Sequence, residues 1–173
     1  MLQKDNLLEW RTIYKNVLLG LEIQKNLTSE NKIYVENLLK KYGLYEFKDK
    51  YPRQLSGGMR QRVALIRTLA NNPNLLLMDE PFSALDYQSR LAISDDIYNI
   101  LKKEKKTMIM VTHDIAEAIS MCDKVIVLSE RPATIKSIYE IKLEKRSTPI
   151  NNRKDKYFSY YYDAIWKDID FHV

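Results

Sequence analysis

Asp79 and Glu80 stand side by side after an unbroken apolar run, Leu75-Leu76-Leu77-Met78, and are followed by Pro81. In α/β sheets, ligands bind at the carboxyl ends of strands. A carboxylate there can hold Mg²⁺, usually through water, and a second can orient or deprotonate an attacking water. A solvated acidic loop is the competing reading. Upstream, Leu55-Ser56-Gly57-Gly58-Met59 opens a helical pattern. A helix N-terminus carries unpaired N–H groups and partial positive charge, so it suits phosphate. The glycines would let a ligand approach the backbone, and Ser56 adds a hydroxyl. An ordinary Ser-Gly cap would look the same. His113 follows a second apolar run, Met108 to Thr112. A lone histidine at a strand end is more often structural. Its expected place at the same sheet edge as Asp79 and Glu80 makes it a candidate.

Those residues need a scaffold, and the hydrophobic pattern supplies one. Leu7 to about Tyr51 is polar and helix-like, with Ile33, Leu38 and Leu39 spaced for one face. Pro52 to Ser56 breaks the pattern. Met59 to Ala70 reads as a helix, with Val63, Ile66, Leu69 and Ala70 at three- and four-residue steps. Leu75 to Met78 reads as a parallel strand covered on both faces. A helix over Leu91 to Leu101, a strand over Thr107 to Thr112, a short helix over Ile115 to Met121 and a strand over Lys124 to Leu128 follow. This alternation predicts a parallel α/β sheet. Thr134 to Leu143 is strand-like, and a polar tail rich in tyrosine follows, with Tyr157, Tyr160, Tyr161, Tyr162 and Trp166.

Composition narrows the functional classes. The chain has 173 residues, 45% hydrophobic and 29% charged, with a formal net charge of +5. The positive charges are scattered among Asp and Glu, which reads as a solvated surface rather than a nucleic-acid stripe. Cys122 is the single cysteine, so no internal disulfide forms and a reducing compartment is expected. No apolar stretch reaches the roughly 18 residues that span a bilayer. The expectation is a cytosolic chain that serves any membrane process from outside the bilayer.

Taken together, these residues resemble the ATP-binding subunits of ABC transporters, from residue 1 to about 145. Leu55 to Met59, continued by Arg60-Gln61-Arg62-Val63-Ala64-Leu65, is similar to the ABC signature motif. Leu75 to Asp79 resembles the Walker B strand, with Glu80 at the catalytic glutamate. Ser83-Ala84-Leu85-Asp86 resembles the D-loop, His113 the switch histidine, and Gln3 the Q-loop glutamine. The resemblance implies a P-loop NTPase fold of the ABC type, with a parallel sheet core and a helical subdomain. It divides the chain at about 5–70 (Q-loop and helical subdomain), 71–145 (Walker B to H-loop part of the core) and 146–173 (tail). It also implies a mechanism. Two subunits, expected as a homodimer, sandwich two ATP molecules. Glu80 orients water, His113 contacts the γ-phosphate, and Gln3 and Asp79 address Mg²⁺. Ser56, Gly57, Gly58 and Met59 close on the partner's nucleotide, and Ser83 and Asp86 belong to the nucleotide-facing D-loop.

One element of that family is absent. A P-loop needs Gly-x-x-x-x-Gly-Lys followed by Ser or Thr, and no Gly-Lys pair occurs in the 173 residues. Because the family's P-loop precedes the Q-loop glutamine, an N-terminally incomplete subunit is expected, truncated or split, and inactive alone. Leu7 to Thr12, the Met59 variant and Val127 to Ile135 resemble importer ATPases of the nitrate, sulfonate and taurine group, which work with membrane permeases and, indirectly, an extracytoplasmic substrate-binding protein. Glu9 stands where that group usually has proline, in a segment expected to face the permease. A location on the inner face of the cell membrane and no nucleic-acid partner follow from this resemblance. Competing readings are a non-catalytic ABC-like interaction module and a non-transport ABC ATPase.

Overall fold

A computed structural model describes residues 5–169, and they form two compact units, divided between Val111 and Thr112. In the first unit, the segment read as helix-like from the sequence resolves into α1 (Ile13–Ile23) and α2 (Ser29–Lys41), then a short 3-10 turn, Tyr45–Phe47. Thr12 and Thr28 cap the two helices by accepting from the amides of Lys15 and Asn31. Such caps satisfy first-turn donors that would otherwise lack partners. Gly43, at φ 68°, takes the left-handed turn that ends α2.

A second 3-10 turn, Pro52–Gln54, leads into α3 (Gly57–Leu69), which buries Val63, Ala64, Leu65, Ile66 and Leu69. Strand β1 (Leu75–Asp79), helix α4 (Tyr87–Lys103) and strand β2 (Thr107–Val111) complete the unit. The strands pair in parallel from Leu75 opposite Thr107 to Asp79 opposite Val111, as the alternation predicts. Helix α4 begins earlier than the apolar pattern suggests, because Asp86 caps it by accepting from the Ser89 amide.

The expected burial of β1 on both faces is not what the first unit shows. Leu76 and Met78 are buried, whereas Leu77 is 61% exposed and Val111, on β2, 59%. A two-stranded parallel sheet with core on one side leaves its other side apolar and open.

The second unit contains α5 (Ile115–Met121), β3 (Lys124–Leu128), β4 (Ile135–Glu140), α6 (Pro149–Asn152) and α7 (Phe158–Ile169). Here the parallel alternation ends: β3 pairs with β4, antiparallel, from Lys124 opposite Glu140. The connection is short and self-bonded. The Ser129 amide donates to the Thr134 carbonyl at 2.9 Å, and the Thr134 amide donates to Ser129 Oγ at 2.9 Å. A short turn returns the chain antiparallel, whereas a parallel neighbour needs a long crossover. The tail, read from the sequence as polar, is helical and packed. Ile165 on α7 is 1% exposed and joins Ile115, Ile119, Val125, Val127 and Ile141 in one core.

Candidate functional site

The N-terminus of α3 is built by its own residues. Ser56 sits in extended backbone and accepts from the Met59 amide at 3.3 Å, and the first turn carries no acidic residue. The two glycines answer to different neighbours. A Cβ on Gly57 would meet Leu85 Cδ2 at 3.5 Å, an ordinary contact. A Cβ on Gly58 would lie 2.4 Å from Ile93 Cδ1 and 3.0 Å from its Cγ1. Any side chain at Gly58 would therefore have to move the end of the Ile93 side chain on α4, whereas Gly57 has room for a methyl group. An open cleft of about 370 Å³ runs along this junction, lined by Ser56, Gly57, Gly58, Arg62, Leu85 and Asp86 among others.

Asp79 ends β1 and is exposed. Glu80, half-buried, lies at φ 40°, in the left-handed region that a non-glycine residue rarely occupies. It is held there from both sides. Its amide donates to the Val111 carbonyl at 2.8 Å, and its carbonyl accepts from the Ser83 amide at 3.3 Å and the Ser83 hydroxyl at 3.1 Å. Phe82, fully buried, anchors the loop. Backbone strain of this kind persists where surrounding structure overdetermines it, and it clusters at functional sites. Asp86 closes the loop as the cap of α4, and the Ser89 hydroxyl and amide hold its carboxyl below the ordinary value.

His113 belongs to the second unit and is exposed. The turn that carries it is fixed by neighbours that no local pattern singles out. Thr112 Oγ1 donates to Glu117 Oε2 at 2.9 Å and accepts from the Asp114 amide at 3.1 Å. Asp114 caps α5 by accepting from the Glu117 amide at 3.0 Å, and Glu117 is only 3% exposed. Thus Ser56, Gly57, Gly58 and Asp86 line one cleft, with Met59 in the same first turn of α3. Asp79, Glu80 and Ser83 form the strand-end loop that leads to Asp86. His113 lies two residues beyond Val111, the partner of Asp79 in the sheet. Gln3 lies outside the described residues. Arg62 is a lining residue that sequence reasoning missed; its position one helical turn along α3 from Gly58 was the available signal.

A family model described as ABC transporter matches residues 1–83. An uncharacterised ABC transporter ATP-binding protein of Bacillus subtilis, YtlC, is 47% identical over 171 residues, covering 98% of this chain and 66% of that protein. The nitrate import ATP-binding protein NrtD of Synechocystis is 39% identical over 164 residues, covering 91% of this chain and 62% of that protein. Among solved structures, a dimeric ATP-binding cassette, MJ0796, in a post-hydrolysis state with ADP and Pi, matches with a TM-score of 0.62 at 32% identity, covering 81% of this chain and 61% of that one. The chain thus spans less than two thirds of the length of these relatives, and over that span sequence and fold are similar. The chain belongs to the ABC transporter ATP-binding family.

Proposed function

We propose that the chain supplies the signature, Walker B and switch residues of an ABC importer ATPase that powers uptake of a small solute of the nitrate, sulfonate or taurine type. The observation that carries this reading is Glu80, pinned at φ 40° directly after the exposed Asp79 at the carboxyl end of β1. The relatives named as import ATP-binding proteins support the importer class. The dimeric cassette supports pairing with a second ATPase subunit, and permease subunits are the expected membrane partners. No helix among the described residues is long and apolar enough to cross a membrane, which accords with a peripheral subunit on the cytoplasmic face.

The residues present fit part of an ATP–Mg²⁺ site. The α3 N-terminus, with Ser56, the open flank of Gly57 and no acid in its first turn, suits a phosphate. Asp79, with Gln3, would address the metal, and bound Mg²⁺ would neutralise phosphate charge. The Gly-Lys cradle for the β- and γ-phosphates is not among the residues of this sequence. Glu80 orients or deprotonates water, and His113 donates toward the γ-phosphate. Ser56, Gly57 and Gly58 present N–H and hydroxyl donors to the nucleotide of the partner subunit. Phosphoryl transfer draws mainly on such positioning.

The purified chain should turn over MgATP at background rate. A chimera joined to the P-loop-bearing part of the Bacillus subtilis relative should regain Mg²⁺-dependent hydrolysis. In that chimera Glu80→Gln should lower turnover by about 100- to 10,000-fold, the range of a positioned general base. Ser56→Arg should block pairing of the two sites. Hydrolysis indifferent to both substitutions would overturn the reading.

A further inference from the structure

The segment after Gln3 is bound to α3 by a network that no local sequence signal announces. Arg60 Nε donates to Asp5 Oδ2 at 2.9 Å, and Arg60 Nη1 donates to the Leu55 carbonyl at 3.3 Å. One guanidinium therefore holds both the segment that begins at Asp5 and the residue immediately before Ser56. Two turns further along the same face of α3, Arg67 forks onto consecutive carbonyls, those of Asp5 at 2.6 Å and Asn6 at 2.7 Å. Asn6 sits at φ 47°, so the forked guanidinium holds a backbone turn that few residues adopt. Asp5 Oδ1 accepts from the Leu7 amide at 3.1 Å. Beyond it, Asn16, fully buried on α1, accepts from the Leu8 amide at 2.7 Å and donates to the carbonyls of Leu8, Arg11 and Thr12. At the tip of this braced segment, Trp10 is 75% exposed.

We propose that Arg60 is a positioning residue that makes the Asp5–Arg11 segment and the Leu55–Met59 start of α3 respond as one piece, so that a displacement at the Trp10 tip is transmitted to the phosphate-facing end of α3. The proposal rests on the functional reading above for what that end of α3 faces. Its mechanical content rests on the Arg60 bridge alone. A partly exposed ion pair adds little to global stability. A planar fork with several fixed donors instead sets relative geometry, which a lysine ammonium cannot do for two acceptors at once. Arg60 touches no reacting group here and acts through Leu55 and Ser56.

The test is amide hydrogen exchange on the full chain without nucleotide, comparing Asp5→Asn, Arg60→Gln, their double variant and Arg60→Lys. Loss of one charge-assisted hydrogen bond should speed local exchange by roughly tenfold. In Asp5→Asn and in Arg60→Gln, both Leu7–Arg11 and Leu55–Met59 should accelerate together. The double variant should be no faster than either single one, because both remove the same bridge. Arg60→Lys should keep the pair with Asp5 and accelerate Leu55–Met59 alone. Additive rates, acceleration confined to one segment in Asp5→Asn, or uniform acceleration reaching the second unit would each overturn the proposal. Should Arg60→Gln fail to fold, Asp5→Asn still decides, since its effect must reach Leu55–Met59. Because no nucleotide is present, failure of this bridge leaves the ATPase assignment standing. Failure of the chimera to hydrolyse ATP leaves the bridge standing.

Discussion

The two sheets of this chain are built from similar residues and do different work. β1 and β2 are parallel, joined by the long helix α4, and end together at Asp79 and Val111. β3 and β4 are a hairpin closed by Ser129 and Thr134. Each buries one apolar face and exposes another: Leu77 and Val111 in the first, Leu128 and Ile138 in the second. The parallel pair delivers carboxylates and a strained glutamate at one edge, because parallel strands bring their carboxyl ends side by side. The hairpin alternates its strand ends, so no edge gathers comparable groups. It serves instead as a floor for α7. Connection length decides which of the two a strand pair becomes.

The comparison is tested most severely in the second unit's core. Ile165→Ala should cost about 2–5 kcal/mol, because the site is closed on all sides. The loss should be confined to that unit. Exchange of α5 and β3 amides should quicken while Leu75–Val111 keeps its protection. A loss shared equally by β1 and β2 would show that the two units fold as one.

In the first unit, Gly58→Ala should cost about 1–3 kcal/mol, the range for overpacking. Gly57→Ala should be neutral or slightly stabilising, since alanine is the better helix former by up to about 1 kcal/mol. Thermal melts of the two variants measure the difference. Equal effects would mean that Ile93 turns aside freely.

Glu80→Gly should raise stability by about 1 kcal/mol, because glycine accepts φ 40° without the strain a side chain meets there. The same change removes the carboxylate that hydrolysis is expected to need. A destabilised Glu80→Gly variant would show that the side chain is held for packing.

The smallest effect concerns Asp168, whose carboxylate accepts from Ser137 and Tyr139 on β4. The Ser137 hydroxyl first, and then Tyr139, hold its pKa below the ordinary aspartate value. A depressed carboxylate stabilises the fold above its unfolded pKa, near 3.9, and that contribution fades as pH falls through the lower folded value. Asp168→Asn should therefore differ from the parent chain at pH 6 and match it in strong acid. Urea midpoints at both pH values give the answer, and a difference that survives in acid would remove the carboxylate from the account.

Apolar runs marked the strands, and the order of Ser56-Gly57-Gly58, Asp79-Glu80 and His113 marked the candidate site, because both are local patterns. Long-range geometry was not legible. Asp5 and Arg60 are 55 positions apart, and nothing near either names the other. The crowding beside Gly58 comes from Ile93 on another helix. The φ of Glu80 was hidden because glutamate is not a residue that signals a left-handed turn. Helix α7 did carry a signal. Phe158, Tyr161, Tyr162 and Ile165 recur at helical spacing and pack on the second unit's core. The tyrosine hydroxyls made an amphipathic helix look like a polar tail.

The 2.4 Å between Ile93 and the missing side chain of Gly58 also bears on how such a chain would drift over generations. In a copy freed from any need to hydrolyse ATP, a larger residue at position 58 would still have to displace the end of Ile93. Ser56 would be kept in part as the cap of α3, whereas Gly57 has room for a methyl group and Glu80 could give way to a glycine that accepts its backbone. Packing gives the glycine a second reason to persist, whereas inheritance of a glutamate in an uncomfortable backbone records use.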